Sequence, residues 1–331
     1  MNTWLAAMRA GMGAAHARIV GMKPRLLILN PSTPATLAAI AEHFDLLHAP
    51  DGAQRAAAIA AHGGAFRAVL TIGSIGLTAA EIDAMPRLEL VCVLGAGHEN
   101  VDVAQAKARG LVVASGAGAN ADCVADHAMA LLLAVVRGLA PFDRACRAGV
   151  WRSALPLRPD VSHRRLGIVG FGAIGQRIAR RAAGFEMQIG WHGRTRRDDT
   201  PYPWFDSVAA LAAWCDFLVI ATPGGPGTRH LVDARVLDAL GPEGFLVNVA
   251  RGSVVDTAAL AEALRSGRLM GAGLDVYEGE PAPPAALIGL DNVLLTPHTA
   301  GTSPQAVAAT LARFLENATR HFAGLPVASP L

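Results

Sequence analysis

The sequence predicts an α/β protein made of two doubly wound parallel-sheet units. Three observations carry that expectation. Short apolar runs of strand length alternate with longer stretches of helical periodicity along nearly the whole chain. The runs are apolar at consecutive positions, as in strands buried on both faces. Several of them end in glycine turns, where open parallel sheets hold ligands. A length of 331 residues gives room for two domains, each with its own core.

Taken in order, residues 1–22 read as an N-terminal extension. Trp4, Leu5, Met8, Met12 and Ile19 form an imperfect helical stripe, without the compact apolar core and small-residue cleavage site of a targeting peptide. The first alternating series predicts strands at Leu26–Leu29, Ala68–Ile72, Leu88–Leu94 and Leu111–Ala114. Helices are predicted at Pro34–Glu42, Thr78–Ala84 and Val101–Arg109. Gly73 and Gly76 follow one strand, and Gly95-Ala96-Gly97 the next. Both turns are candidates for holding a ligand by backbone amides, although Gly73 serves equally well as a plain tight turn. Ala121–Arg137 reads as one long apolar helix linking the units. Pro141–Arg165, basic and aperiodic, reads as an arm that lies on another subunit.

The second series predicts strands at Leu166–Val169, Met187–Trp191, Phe217–Ile220, Phe245–Val249, Met270–Leu274 and Val293–Leu295. Between them come helices at Gln176–Ala183, Ser207–Trp214, Asp233–Leu240 and Thr257–Ser266. An amphipathic helix, Gln305–Phe322, closes the chain and is free to return to the first unit.

Composition narrows the function. The chain is 52% hydrophobic with a mean hydropathy of +0.34, but it has no apolar run of the ~20 residues that a membrane span needs. The longest, Ala128–Val136, lies between Asp126 and Arg137 and reads as a buried helix. A net charge of +2, from 29 basic and 27 acidic residues spread along the chain, leaves no nucleic-acid footprint. Cys92, Cys123, Cys146 and Cys215 show no metal-ligand spacing and read as thiols of a reducing cytoplasm. The expected partner is a small molecule, with neither nucleic acid nor membrane involved.

Gly170-Phe171-Gly172-Ala173-Ile174-Gly175 stands between a buried-type strand and a helix. There the first glycine permits the sharp turn, the second admits a pyrophosphate, and the third lets helix and strand pack closely. This predicts a dinucleotide-binding unit. Such units usually carry an acid after the second strand to bind the ribose of NAD. Here Trp191-His192 is followed by Gly193-Arg194-Thr195-Arg196-Arg197, with no acid before Asp198. A guanidinium binds a 2′-phosphate that a carboxylate would repel. Arg194 and Thr195, with Arg196 or Arg197 adding charge, therefore predict NADP over NAD, the alternative being a solvated basic loop.

Three polar groups follow late strands: Arg251, Glu280 and His298. Reduction of a 2-oxo acid needs a cation for the carboxylate and ketone, a proton donor at the carbonyl oxygen, and a hydride. Arg251 and His298 fit the first two needs, and Glu280 would orient the imidazole and keep it charged. Singly, each has an ordinary alternative as a helix cap, a surface acid or a loop histidine. Together, in register with a cofactor motif, they read as a site.

From about Lys23 to Phe322 the chain resembles the D-isomer-specific 2-hydroxyacid dehydrogenase family, and within it the NADPH-dependent hydroxypyruvate and glyoxylate reductases. Five blocks carry the resemblance: Gly95 to Asp102, Gly170 to Gly175, Val247 to Gly252, Gly273 to Pro281 and Pro297 to Gly301. The resemblance implies that Arg251, Glu280 and His298 are catalytic and that the Ala96 and Gly97 amides receive the substrate carboxylate, with Gly73, Leu94 and Gly95 beside them. It places Asp275 by the nicotinamide amide. The cofactor set then comprises Val124, Gly170, Gly172, Ala173, Ile174, Gly175, Gly193, Arg194, Thr195, Thr222, Pro223, Val249, Ala250, Arg251, Asp275, His298, Ala300 and Gly301.

It further implies a discontinuous, flavodoxin-like substrate domain (23–119 and 302–331), a Rossmann-like dinucleotide domain (120–301) and a homodimer built through the arm, residues 120–165. Trp151, on that arm, either packs at the interface or reaches the neighbouring site. Glu280 separates the chain from the similar formate dehydrogenases, which carry glutamine there. The expected reaction is reduction of glyoxylate or hydroxypyruvate to the D-2-hydroxy acid. A bulkier 2-oxo acid is the runner-up, and a cofactor-responsive binding protein, as in the C-terminal-binding corepressors, is the rival from another class.

Overall fold

Each of the two parallel sheets is buried on both faces, because alternate residues of a strand point to opposite sides and nearly all of them here are apolar. The computed structural model describes residues 23–331. The expected N-terminal extension, residues 1–22, lies outside the described residues. Two compact units result, one running to Asn120 and resuming at Ser303–Leu331, the other Ala121–Thr302.

In the first unit, strands β1 (Arg25–Ile28), β2 (Asp45–His48), β3 (Ala68–Thr71), β4 (Leu90–Val93) and β5 (Val112–Ser115) form a parallel sheet in the order β2-β1-β3-β4-β5. Leu27, Val69 and Val91 face one apolar layer, and Leu26, Ile28, Leu70 and Leu90 the other. Helices α1 (Pro34–Ala41), α2 (Gly52–His62), α3 (Ala79–Asp83) and α4 (Val103–Ala108) begin at Thr33, Asp51, Thr78 and Asp102, each of which caps a first-turn amide with its side chain. Strand β2 and helix α2 are absent from the sequence expectation. The strand is a short edge with a polar residue at each end, and the helix is alanine-rich with weak periodicity.

The second unit opens with α5 (Ala121–Arg137) and α6 (Leu139–Arg147). Strands β6 (Arg165–Val169), β7 (Gln188–His192), β8 (Phe217–Ile220), β9 (Phe245–Asn248), β10 (Gly271–Leu274) and β11 (Val293–Leu295) follow in the sheet order β11-β10-β9-β8-β6-β7. Helices α5 and α7 (Ala173–Ala183) cover one face. Helices α8 (Val208–Trp214), α9 (Ala234–Leu240) and α10 (Thr257–Arg265) cover the other. Phe217 and Val219 point to the first face, Leu218 and Ile220 to the second.

The arm expected to be aperiodic from Pro141 instead begins within a helix. Pro141 falls in the first turn of α6, where an amide has no intrahelical acceptor to lose. Beyond it, Trp151 is 71% exposed and Leu157 fully exposed. No single described helix is long and apolar enough to cross a membrane. The bent pair α5–α6 meets the length and composition test, yet the apolar face of α5 is core of this unit.

The last helix, α11 (Pro304–Phe322), belongs to the first unit, where Leu311, Phe314, Leu315 and Ala318 close the layer over Leu26, Ile28 and Leu70. Its buried Asn317 ties down the tail. Oδ1 accepts the amides of Ala328 (2.9 Å) and Ser329 (3.2 Å), Nδ2 donates to Ser329 Oγ (3.0 Å), and the Leu331 amide then bonds the Val113 carbonyl at the sheet edge (2.9 Å). Asn317→Ala is expected to destabilise the protein by about 1–3 kcal/mol. A lower urea midpoint, with faster amide exchange at Ala328, Ser329 and Leu331, is the measured sign.

Candidate active site

Strand β9 ends at Asn248, whose side chain folds the following loop back on itself. Nδ2 donates to the Arg251 carbonyl (3.0 Å) and Oδ1 accepts the Ala250 amide (3.0 Å), which fixes the backbone carrying the Arg251 guanidinium. Next comes Gly252, where a Cβ would overlap the Tyr277 carbonyl group, so the loops after β9 and β10 touch backbone to backbone.

Strand β10 delivers Asp275, which is fully buried. Its carboxylate accepts the Thr296 hydroxyl (2.6 Å) and the amides of Thr299 (2.8 Å) and Ala300 (2.8 Å), and its carbonyl accepts the His298 amide (2.8 Å). Four donors from one short loop thus converge on one residue. They hold His298 at φ +51°, a left-handed conformation that costs a residue with a β-carbon about 1–2 kcal/mol.

In that conformation the His298 ring meets Glu280, donating from Nδ1 to Oε2 at 2.6 Å. Glu280 Oε1 accepts the Tyr277 amide (2.7 Å). A carboxylate only accepts, so Nδ1 carries a proton and the ring's chemistry is left to Nε2. The hydrogen bond that the ring donates to Glu280 raises the His298 pKa, outweighing burial and the Arg251 charge, which lower it; the charges of Glu280 and Asp275 add to the rise. Burial pushes Glu280 up, but bonds from His298 and the Tyr277 amide, with the charges of His298 and Arg251, bring it below the ordinary carboxylate range. Both shifts favour the imidazolium–carboxylate form of the pair, with a guanidinium near enough to act on both. The Tyr277 hydroxyl is pushed up to about 12, chiefly by burial and then by Asp275 and Glu280, and it donates to the Thr296 and Leu274 carbonyls. It is a brace rather than an acid.

The glycine turn after β6 fits a dinucleotide pyrophosphate. Gly170 has φ +92°, and a Cβ on it would lie 2.7 Å from the Ala221 carbonyl and from Thr222; one on Gly175 would overlap the Gly170 carbonyl. A Cβ on Gly172 would meet nothing, so open space lies where a phosphate must approach. No side chain caps α7, whose first turn comprises Ala173, Ile174 and Gly175. The Pro223 carbonyl accepts the Thr228 hydroxyl (2.9 Å) and that of Gly193 the Trp204 indole (3.2 Å), so both loops are internally held. Val124, Val249, Ala250 and Ala300 are buried apolar residues, and Gly301 follows directly.

After β7, Arg194 is exposed and makes no hydrogen bond or ion pair among the described residues. Arg196 pairs with Asp198 (3.3 Å), and Arg197 bonds Asp199 (2.8 Å) and the Phe171 carbonyl (3.2 Å). Two of the three arginines thus stand beside acids, and Arg194 and Thr195 are exposed at the end of β7.

In the first unit the loops after β3 and β4 meet at Gly73, where a Cβ would lie 2.5 Å from the Gly97 carbonyl oxygen. Gly95 has φ +113° and abuts Gly116. The Leu94 amide bonds the Thr71 carbonyl (2.9 Å), and the Ala96 carbonyl accepts the His98 ring (3.3 Å). Sequence reasoning gave no role to Tyr277, Thr296 or His127. Tyr277 lies within the block Gly273 to Pro281 and Thr296 directly precedes Pro297, but neither carries a signal of its own, whereas His127 is a polar residue within an apolar helix.

The profile of the D-isomer specific 2-hydroxyacid dehydrogenase NAD-binding domain matches residues 129–300. The 2-ketogluconate reductase of Gluconobacter oxydans is 36% identical over 310 residues, which cover 93% of this chain and 99% of that protein. The glyoxylate/hydroxypyruvate reductase A of Arabidopsis thaliana is 35% identical over 92% of this chain and 98% of its own. The NADPH-dependent glyoxylate/hydroxypyruvate reductase of Sinorhizobium meliloti, solved with NADP and malonate, superposes with a TM-score of 0.86 at 36% identity, covering 93% of this chain and 97% of that one.

The His298–Glu280 pair yields a direct titration test. In NMR the His298 ring is expected to lose its proton above the ordinary histidine value, and Glu280→Gln is expected to bring that midpoint down, because a neutral amide no longer favours the imidazolium.

Proposed function

Since the chain belongs to the D-isomer-specific 2-hydroxyacid dehydrogenase family, we propose that it reduces a short 2-oxo acid, glyoxylate or hydroxypyruvate, to the D-2-hydroxy acid with NADPH as preferred donor. The carrying observation is the His298–Glu280 pair at 2.6 Å with the Arg251 charge beside it. When bound, the nicotinamide cofactor supplies the hydride. His298 delivers its Nε2 proton to the carbonyl oxygen as charge develops there, and Glu280 stabilises the imidazolium beforehand and keeps the ring oriented. Arg251 polarises the ketone and pairs with the substrate carboxylate. Asp275, with both carboxylate oxygens taken by protein donors, acts through the His298 loop.

The NADPH preference is supported by Arg194 and Thr195 at the end of β7 and by the NADPH dependence named for the Sinorhizobium protein. The 2-ketogluconate reductase relative favours a longer 2-oxo acid as second reading. Exposed Trp151 and Leu157 support a homodimer formed through the stretch after α6, and free cysteines, with no disulfide among the described residues, support a reducing cytoplasm.

Initial rates on glyoxylate, hydroxypyruvate, pyruvate, phenylpyruvate and 2-ketogluconate with NADPH and NADH test this reading. The two short acids with NADPH are expected to dominate, and His298→Ala to lose about 100-fold or more in kcat. Arg194→Ala is expected to raise the KM for NADPH about tenfold while leaving that for NADH nearly unchanged, in line with loss of one charge-assisted contact. A preference for NADH in the unmodified protein refutes the assignment of Arg194.

A further inference from the structure

Among the described residues, one histidine with no role in the proposed chemistry abuts the catalytic loop from behind. His127 projects from α5, one turn after Val124 and on the same face. Its ring is mostly buried, with Nε2 2.9 Å from Thr296 Oγ1 and 3.5 Å from Asp275 Oδ1. The Thr296 hydroxyl has one proton, and it is given to Asp275 at 2.6 Å. Toward His127 the same oxygen can only accept, so His127 Nε2 must carry a proton. A directed chain of donors thus runs from α5 through Thr296 to the buried carboxylate that holds His298.

We propose that His127 is a positioning residue of this enzyme: its Nε2–H orients the Thr296 hydroxyl onto Asp275 and so holds the loop from which His298 acts. The assignment rests on the reading of His298 as proton donor. The groups acting on His298 are Glu280, Arg251 and Asp275. Those facing His127 are Asp275 and Thr296, from the ends of β10 and β11. On α7, packed against the same helix, Arg177 and Arg181 are taken by Asp122 (3.0 Å) and Asp126 (2.6 Å). With no cation supplied from that side, the bond to Thr296 transmits the effect, and a side chain with an N–H at the Nε2 position can substitute.

The test compares His127→Leu, His127→Gln and Thr296→Val with the parent chain. Glyoxylate reduction by NADPH is followed across pH, together with ring ¹⁵N spectra. For His127→Leu, kcat is expected to fall about tenfold, with the alkaline limb of its pH profile moved to lower pH as the His298–Glu280 contact loosens. His127→Gln should recover most of the rate and the profile, and Thr296→Val should reproduce the leucine variant, the double variant being no worse than either single one. In the parent chain the spectra should show His127 protonated at Nε2, a readout independent of turnover and of whether the leucine variant folds.

Equal losses in the Leu and Gln variants with an unmoved profile, rates unchanged in both, or a neutral ring protonated at Nδ1 would each overturn the proposal. If His298→Ala keeps the parental rate, the proton-donor reading falls by itself, while the ¹⁵N spectra still decide the hydrogen bonding of His127.

Discussion

A carboxylate taken wholly out of water must find donors, and the way Asp275 finds them fixes the geometry of the proposed active site. The strand end presents the acid to the interior, where an unsatisfied charge would cost several kcal/mol. One hydroxyl and two amides of a single loop meet that need, and a third amide bonds its carbonyl. The loop offers all of them with His298 in a left-handed backbone, and in this conformation the imidazole meets Glu280. A requirement of the core therefore becomes the orientation of a surface group.

The same economy recurs at the other strand ends. Asn248 spends both polar ends of its amide on the loop of Arg251, and Gly252 lets that loop lie flush on the one bearing Glu280. In the proposed site, Arg251 and Glu280 are thereby carried by loops packed backbone against backbone. Preorganisation of this kind costs no reorientation when charge shifts during a reaction.

Much of this was legible in the sequence, because both sheets are wrapped on two faces and so write themselves as unbroken apolar runs. The glycine turn was legible for a different reason: Gly170 and Gly175 sit where any β-carbon collides with backbone. What escaped were elements whose sequence carries little contrast. Strand β2 is a four-residue edge with Asp45 and His48 at its ends, and α2 has so much alanine that its buried side hardly differs from its exposed one. Proline at position 141 masked the start of α6, since a residue that breaks helices in the middle is accommodated at their beginning. In the proposed site, Arg251, Glu280 and His298 stood out as polar residues after apolar strands. The supporting roles of Thr296, Tyr277 and His127 could not be read, because each depends on residues between 19 and 169 positions away.

The discontinuity of the first unit bears on how the chain is made. The second unit is one uninterrupted stretch, and by the time Thr302 has left the ribosome it has all its strands and helices. The first unit has its five strands much earlier, but the layer over Leu26, Ile28, Leu70 and Leu90 is closed by Leu311, Phe314 and Leu315, which are synthesised after the whole of the second unit. While the second unit is being made, that sheet face is covered only in part, by Ile40 and Phe44. A domain begun before the second unit is thus completed after it, and over that interval its uncovered apolar surface is the kind that favours aggregation.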